Sequence, residues 1–202
     1  MAMAVDAAFY FDLASPLAYL AAEQVLTGLG GPASWTPILA AELPDAERFD
    51  AFRCQAESDA FREDVQRRAT ALNLQPVRWP ATFPFDSELA MRVATYAAQI
   101  GRAVPFAQAA FRQAFAGGHD LSDPNYVCIA AAACEMHPRA VLAAAERDAI
   151  GEDLRAATGA AGAAGVRDVP AIRVGDAVFE GERAIPDARA ALLAATPTPS
   201  AR

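Results

Sequence analysis

The 202-residue chain contains no lysine; all 17 of its basic residues are arginine. That absence removes Schiff-base chemistry, a lysine general base and a P-loop lysine. Histidine is almost missing as well. Only His119 and His137 are present, so a metal site built from histidines alone would need both, and no metal centre is expected. The three cysteines, Cys54, Cys128 and Cys134, form no C-x-x-C pair. Cys128 and Cys134 lie in a helical-looking stretch, where about 100° per residue turns them to different faces, and they read as thiols used as small hydrophobes. Long apolar runs are also lacking, each being broken by Asp, Arg or Pro. The first ten residues show no charged segment ahead of an apolar one, so neither a membrane span nor an export signal is expected, and the reading is a cytoplasmic protein. Positive charge is outweighed, 17 against 25, and the net charge of −8 argues against nucleic acid as a partner.

What the chain has is alanine, about a quarter of all residues, which lifts the apolar fraction to 54%. The length suits one domain, or one domain carrying a large insertion. Ala7 to Leu13 is a short aromatic and apolar run that reads as a buried strand ending at Ala14-Ser15-Pro16. Serine is a good N-cap and proline is favoured in a first helical turn, so a helix is expected from Ser15-Pro16 to about Leu29, stopped by Gly30-Gly31-Pro32. Ser34 to Leu39 is a second strand, and Pro37 places it at a sheet edge or strand end. From Pro44 to about Thr158 apolar residues recur at helical spacing, with segments near 45–73, 86–101, 103–117, 122–136, 138–147 and 150–159. Beyond Gly165, Ala171 to Val174 and Ala177 to Phe179 flank Gly175-Asp176 as a β-hairpin, and a last helix runs from Arg183 to Ala194. The tail from Thr196 is expected to fray.

The order is therefore β-α-β, a helical block, then β-β-α, which is the thioredoxin order with an insertion. Phe9-Tyr10-Phe11-Asp12-Leu13-Ala14-Ser15-Pro16-Leu17-Ala18-Tyr19-Leu20 resembles the opening of 2-hydroxychromene-2-carboxylate isomerases and kappa-class glutathione transferases. Gly165-Val166-Arg167-Asp168-Val169-Pro170 looks like the family's Gly-Val-x-x-Val-Pro segment, whose Val-Pro bond is cis, and Phe179-Glu180-Gly181 like its Phe-x-Gly hairpin exit. Phe61 to Asp64, Arg68, Leu72, Pro80, Pro84, Phe111 to Phe115 and Leu121-Ser122-Asp123 follow the pattern of its helical region. The resemblance covers nearly the whole chain. It implies an α/β fold of the DsbA-like kind, a thioredoxin-like sheet domain (residues 1–43 and 159–202) interrupted by an all-helical insertion (44–158).

In disulfide enzymes of this superfamily the first redox cysteine starts this same helix, where partial positive charge stabilises a thiolate. Here Ser15 and Ala18 hold the two C-x-x-C positions, so dithiol exchange at this turn is chemically impossible. By resemblance, the thiol is instead brought in as glutathione, or another low-molecular-weight thiol, and Ser15 is the candidate catalytic residue that stabilises its thiolate. From its local sequence alone Ser15 reads as a plain N-cap, and the Val169-Pro170 segment is what makes a thiol site the preferred reading. A cis Val169-Pro170 would leave the Val169 backbone open to an extended ligand. For the isomerases the implied reaction is thiol addition to a conjugated carbon of an aromatic-pathway intermediate, then ring opening, rotation and elimination. For the kappa class it is conjugation to an electrophile. A small aromatic or electrophilic substrate and a homodimer are implied in both. Leu17, Trp79, Phe83 and Phe85 are candidates for an apolar wall, though packing explains them as well.

The chain departs from the pattern at two points. Where relatives carry a small polar residue and an aspartate for the glutamyl end of glutathione, this chain has Glu182-Arg183, both counted as candidate cofactor contacts with Val169 and Pro170. Arg183 would repel an ammonium and attract a carboxylate or phosphate, or be a solvated charge. Where relatives often carry an asparagine after the second strand, this chain has Ala40-Ala41-Glu42. A different thiol, another anionic ligand, or a non-catalytic protein binding an extended peptide or small acid beside the proline are therefore the alternative readings.

Overall fold

The structure is a computed structural model that describes residues 6–44 and 54–195. Residues 45–53, the start of the first expected helical segment, and the tail from Thr196 lie outside the described residues. Strand β1 (Ala7–Phe11) is followed by helices α1 (Pro16–Ala22) and α2 (Val25–Gly28), strand β2 (Ser34–Pro37) and a 3₁₀ turn (Ala40–Glu42). Six helices come next: α3 (Gln55–Ala71), α4 (Glu88–Gln99), α5 (Ala103–Phe115), α6 (Pro124–Ala132), α7 (Pro138–Ala145) and α8 (Asp148–Ala163). Strands β3 (Ala171–Val174) and β4 (Ala177–Glu180) and helix α9 (Ala184–Ala195) complete it. This is the expected DsbA-like arrangement of a thioredoxin sheet interrupted by helices.

The sheet order is β2-β1-β3-β4, with β1 parallel to β2 and antiparallel to β3. β2 is an edge strand, where Pro37 can lack its N–H without breaking a central ladder. β1 is buried on both faces, as a central strand covered by helices must be. Its odd residues, Phe9 and Phe11, enter the main core, where Phe9 meets Trp35 at 4.9 Å and Phe11 meets Phe111 of α5 at 5.9 Å. Its even residues, Ala8 and Tyr10, face a smaller core with Ile38, Leu43, Ala161 of α8, Val166 and Val169. The alternation of strand side chains thus sets one helical layer on each face.

Two helices differ from expectation. The first ends at Ala22 and is followed by the short α2, because Gln24 folds back: its N–H reaches Ala21 O at 2.9 Å and its amide donates to Leu20 O at 3.0 Å. Glu23 at the break is held by Arg112 of α5 through two bonds of 2.7 Å. Helix α8 continues through Gly159 and Gly162 to Ala163, and Gly165, at φ +100°, supplies the turn that ends it. Gly162 packs close to Pro44, whose Cδ would lie 3.1 Å from an added Cβ. The hairpin turns at Gly175, φ +58°, with Val174 paired to Ala177. Among the described residues no helix is long and apolar enough to cross a membrane, and no group of three His, Cys, Asp or Glu is placed to hold a metal ion.

Candidate functional site

The carboxyl end of β1 leads into a tight turn: Ser15 N–H donates to Asp12 O at 3.0 Å, and Ala14 N–H to Asp12 Oδ1 at 2.9 Å. Ser15 then caps α1, its Oγ accepting from Ala18 N–H at 3.2 Å. Across from it stands the loop ahead of β3, in which the Val169–Pro170 bond is cis, as the resemblance implied. Ser15 is 1% exposed, and its hydroxyl points at this loop and lies 3.4 Å from Val169 O. At that length the bond is weak and readily exchanged for a better acceptor. Ser15, Val169 and Pro170 are therefore brought together.

The Val169 backbone is not open in the way expected. Its N–H donates to Asp168 Oδ1 at 2.7 Å and its carbonyl accepts from Ser15. An aspartate directly before Val169 closes a local bond that the general pattern does not require. Glu180, the last residue of β4, fixes the same loop by accepting from Arg167 N–H at 2.7 Å and Asp168 N–H at 3.2 Å.

Two clefts flank the Ser15–Val169 contact. The first, about 320 Å³, is walled by Asp12, Ala14, Ser15, the 39–42 segment, the 84–88 segment and Asp168. Its described walls carry five carboxylates, Asp12, Glu42, Asp86, Glu88 and Asp168, and no cation. Phe85, buried at 6% exposure, supplies an apolar surface, and a second cis bond joins Phe83 to Pro84. The second cleft, about 420 Å³, has Leu17, Leu20, Pro170, Ile172 and Ile185 on its apolar walls, with Arg67, Arg68 and Glu182 as its charges. Arg68 forms an ion pair with Glu182 across it. Trp79 and Phe83 pack on each other at 4.8 Å and on Phe115, in keeping with the packing reading of these two aromatics.

Glu182 thus lies on the groove and Arg183 does not converge with it. The Arg183 side chain is 77% exposed and pairs with Asp187 one turn along at 2.8 Å, the arrangement of a solvated helix charge. Sequence reading missed Asp12, although a charge ending a buried aromatic strand was a signal in plain view. It also missed Arg68 as the partner of Glu182, for which the sequence offered no signal. Asp12 is 4% exposed, and burial pushes its carboxyl above the usual carboxylate range against the hydrogen bonds from Ala14, Ala40 and Ser87.

A thioredoxin sheet with a helical insertion, a capped helix start and a facing cis-proline together define a DsbA-like protein. The chain belongs to the family of DSBA-like thioredoxin domains, whose model matches residues 7–193. No curated protein matches it. Among solved structures, a 2-hydroxychromene-2-carboxylate isomerase is similar with a TM-score of 0.80 at 21% identity, over 93% of this chain and 94% of that one. A probable DsbA oxidoreductase from Streptomyces coelicolor is similar with a TM-score of 0.78 at 18% identity, over 98% and 93% of the two chains. At these identities the likeness establishes the fold.

Proposed function

We propose that the protein is a thiol-dependent enzyme of the 2-hydroxychromene-2-carboxylate isomerase type, with glutathione or a similar small thiol held between Ser15 and Pro170. The reading rests on the Ser15 hydroxyl aimed at the cis-proline loop with only a 3.4 Å bond to occupy it. The residues present suit an extended amino-acid thiol. A sulfur at Ser15 leaves the second cleft for the body of the ligand, where Leu17 and Pro170 offer apolar contact. At the far end Glu182 can pair with an ammonium and Arg68, which also holds Asp64, with a carboxylate, the two charges of an amino-acid terminus. When bound, the thiol supplies the nucleophile for addition to, and later elimination from, an electrophilic carbon. Ser15 donates its hydrogen bond to the sulfur, favouring the thiolate, while Phe85 and the buried turn limit water around it. Dithiol exchange at this turn is excluded because residues 15 and 18 carry no sulfur.

One observation favours a second reading, conjugation of the thiol to an uncharged or cationic electrophile. The five carboxylates around the first cleft make a negative potential that opposes a carboxylate substrate. Titration calorimetry with glutathione, followed by a crystal soak, tests the shared part of both readings. Sulfur density beside Ser15 is expected, and absence of binding at millimolar glutathione would overturn glutathione as the thiol. Turnover of a cyclic hemiketal carboxylate against turnover of neutral electrophiles then separates isomerase from transferase.

A further inference from the structure

Asp12 is the only buried charged side chain among the described residues, and the proposed thiol chemistry gives it no part. A carboxylate is not removed from water without partners, and three segments provide them. Ala14 N–H, inside the serine's own turn, donates to Oδ1 at 2.9 Å. Ala40 N–H, just past β2, donates to Oδ2 at 2.9 Å. The Ser87 hydroxyl, at the start of α4, bonds to it as well. The next residue repeats the tie to α4, since Leu13 N–H donates to Met91 Sδ at 3.2 Å. One carboxylate thus joins the turn that presents Ser15 to the two other walls of the first cleft.

We propose that Asp12 is the positioning residue of the Ser15 site, and that its charge sets how readily a thiol lodged beside Ser15 ionises. The inference rests on the thiol reading above for its biological meaning, but its geometry stands without any ligand. The two N–H donors use both carboxyl oxygens as acceptors; an asparagine satisfies one and opposes the other. The same negative charge opposes a second anion in the adjacent cleft. The groups around Asp12 do not neutralise it. Asp86 and Glu88 lie at the α4 end, Glu42 on the 3₁₀ turn and Asp168 on the cis-proline loop, all acidic, while Arg92 of α4 is turned to Glu88 at 3.3 Å and to the Ala145 and Arg147 carbonyls. Asp12 therefore holds the turn in place while limiting the acidity of what the turn receives.

A thiol placed at the position itself tests this without glutathione. In a Ser15→Cys protein, the pH dependence of iodoacetamide alkylation is followed by peptide-resolved mass spectrometry, which separates the introduced thiol from Cys54, Cys128 and Cys134. Adding Asp12→Asn is expected to lower the midpoint of that thiol by about one unit, a roughly tenfold faster alkylation below both midpoints. Asp86→Asn, which removes a cleft carboxylate not bonded to the turn, is expected to shift it by less than a third as much. An unchanged or raised midpoint with Asp12→Asn, or an equal shift with Asp86→Asn, overturns the assignment. Should Asp12→Asn not fold, the Ser15→Cys protein alone decides: the carbon NMR signal of the Asp12 carboxyl must show an inflection at the thiol midpoint, since coupled groups titrate together, and a signal without one overturns the proposal. Failure of glutathione to bind the parent protein would leave each of these results unaltered.

Discussion

Ser15 has two roles to separate, a helix cap and a donor to sulfur, and two substitutions divide them. Ser15→Ala removes the Oγ that accepts from Ala18 N–H at 3.2 Å. Loss of such a cap costs about 1 kcal/mol, whereas glycine at the same place costs only about a few tenths. The weak 3.4 Å bond to Val169 O adds little in either case. For a chain of this size the alanine variant should melt about 2–4 °C lower and the glycine variant about 1 °C lower. Both lose the hydroxyl completely. A hydrogen bond to a charged acceptor is worth about 1.5–3 kcal/mol, which corresponds to about one to two units in the midpoint of a bound thiol. Urea and thermal unfolding give the first quantity, and the ultraviolet absorbance of the thiolate in the glutathione complex, followed against pH, gives the second. The expected pattern is unequal stability with equal loss of thiol acidity. A glycine variant that binds glutathione with the parental midpoint would refute the sulfur role, as would a shift that scales with the stability loss.

Three further outcomes are expected. Glu182→Gln breaks the pair with Arg68, and because Glu182 is 65% exposed the fold should change by no more than about 0.5 kcal/mol. Calorimetry should show glutathione bound about twofold to fivefold more weakly while its des-amino analogue is unaffected; an equal effect on both would remove Glu182 from ammonium recognition. Burial raises the Asp12 carboxyl above 3.8, so the folded state holds its proton more tightly than the unfolded chain does. Its contribution is then fully present below 3.8 and lost as pH rises through the folded value, so urea-derived stability of the parent relative to Asp12→Asn should decline with rising pH. A difference that grows with pH would contradict the dominance of burial. Finally, on the conjugation reading, in a series of otherwise matched electrophiles KM should be lowest for cationic and highest for carboxylate members, with the spread narrowed by added salt and by Glu42→Gln; a carboxylate preferred over its neutral match would rule out control by the acidic cleft.

Local signals carried much of the fold. The Phe9–Phe11 run, the Ser15-Pro16 cap, Gly175-Asp176 and the edge position of Pro37 were all legible, because each rests on neighbours in sequence. The break after Ala22 was not, since the groups that hold it include Arg112 on α5, remote in the chain. The candidate site divides in the same way. Ser15 and the Val169–Pro170 loop were legible through resemblance, and the structure brings them together. Arg183 was a candidate because of its type and place, but its side chain direction is fixed by Asp187 in the first turn of α9. Asp12 stood in the motif that carried the resemblance, yet its meaning depends on Ala40 and Ser87, which only the tertiary fold supplies.

The contact between Leu13 N–H and the Met91 thioether bears on how the chain tolerates change. By volume and hydropathy, leucine is an easy replacement for a fully buried methionine. Here the sulfur is also an acceptor, and leucine would leave an amide in the serine's turn facing hydrocarbon. An exchange that sequence comparison counts as neutral would disturb the turn from behind, through a residue that touches neither cleft.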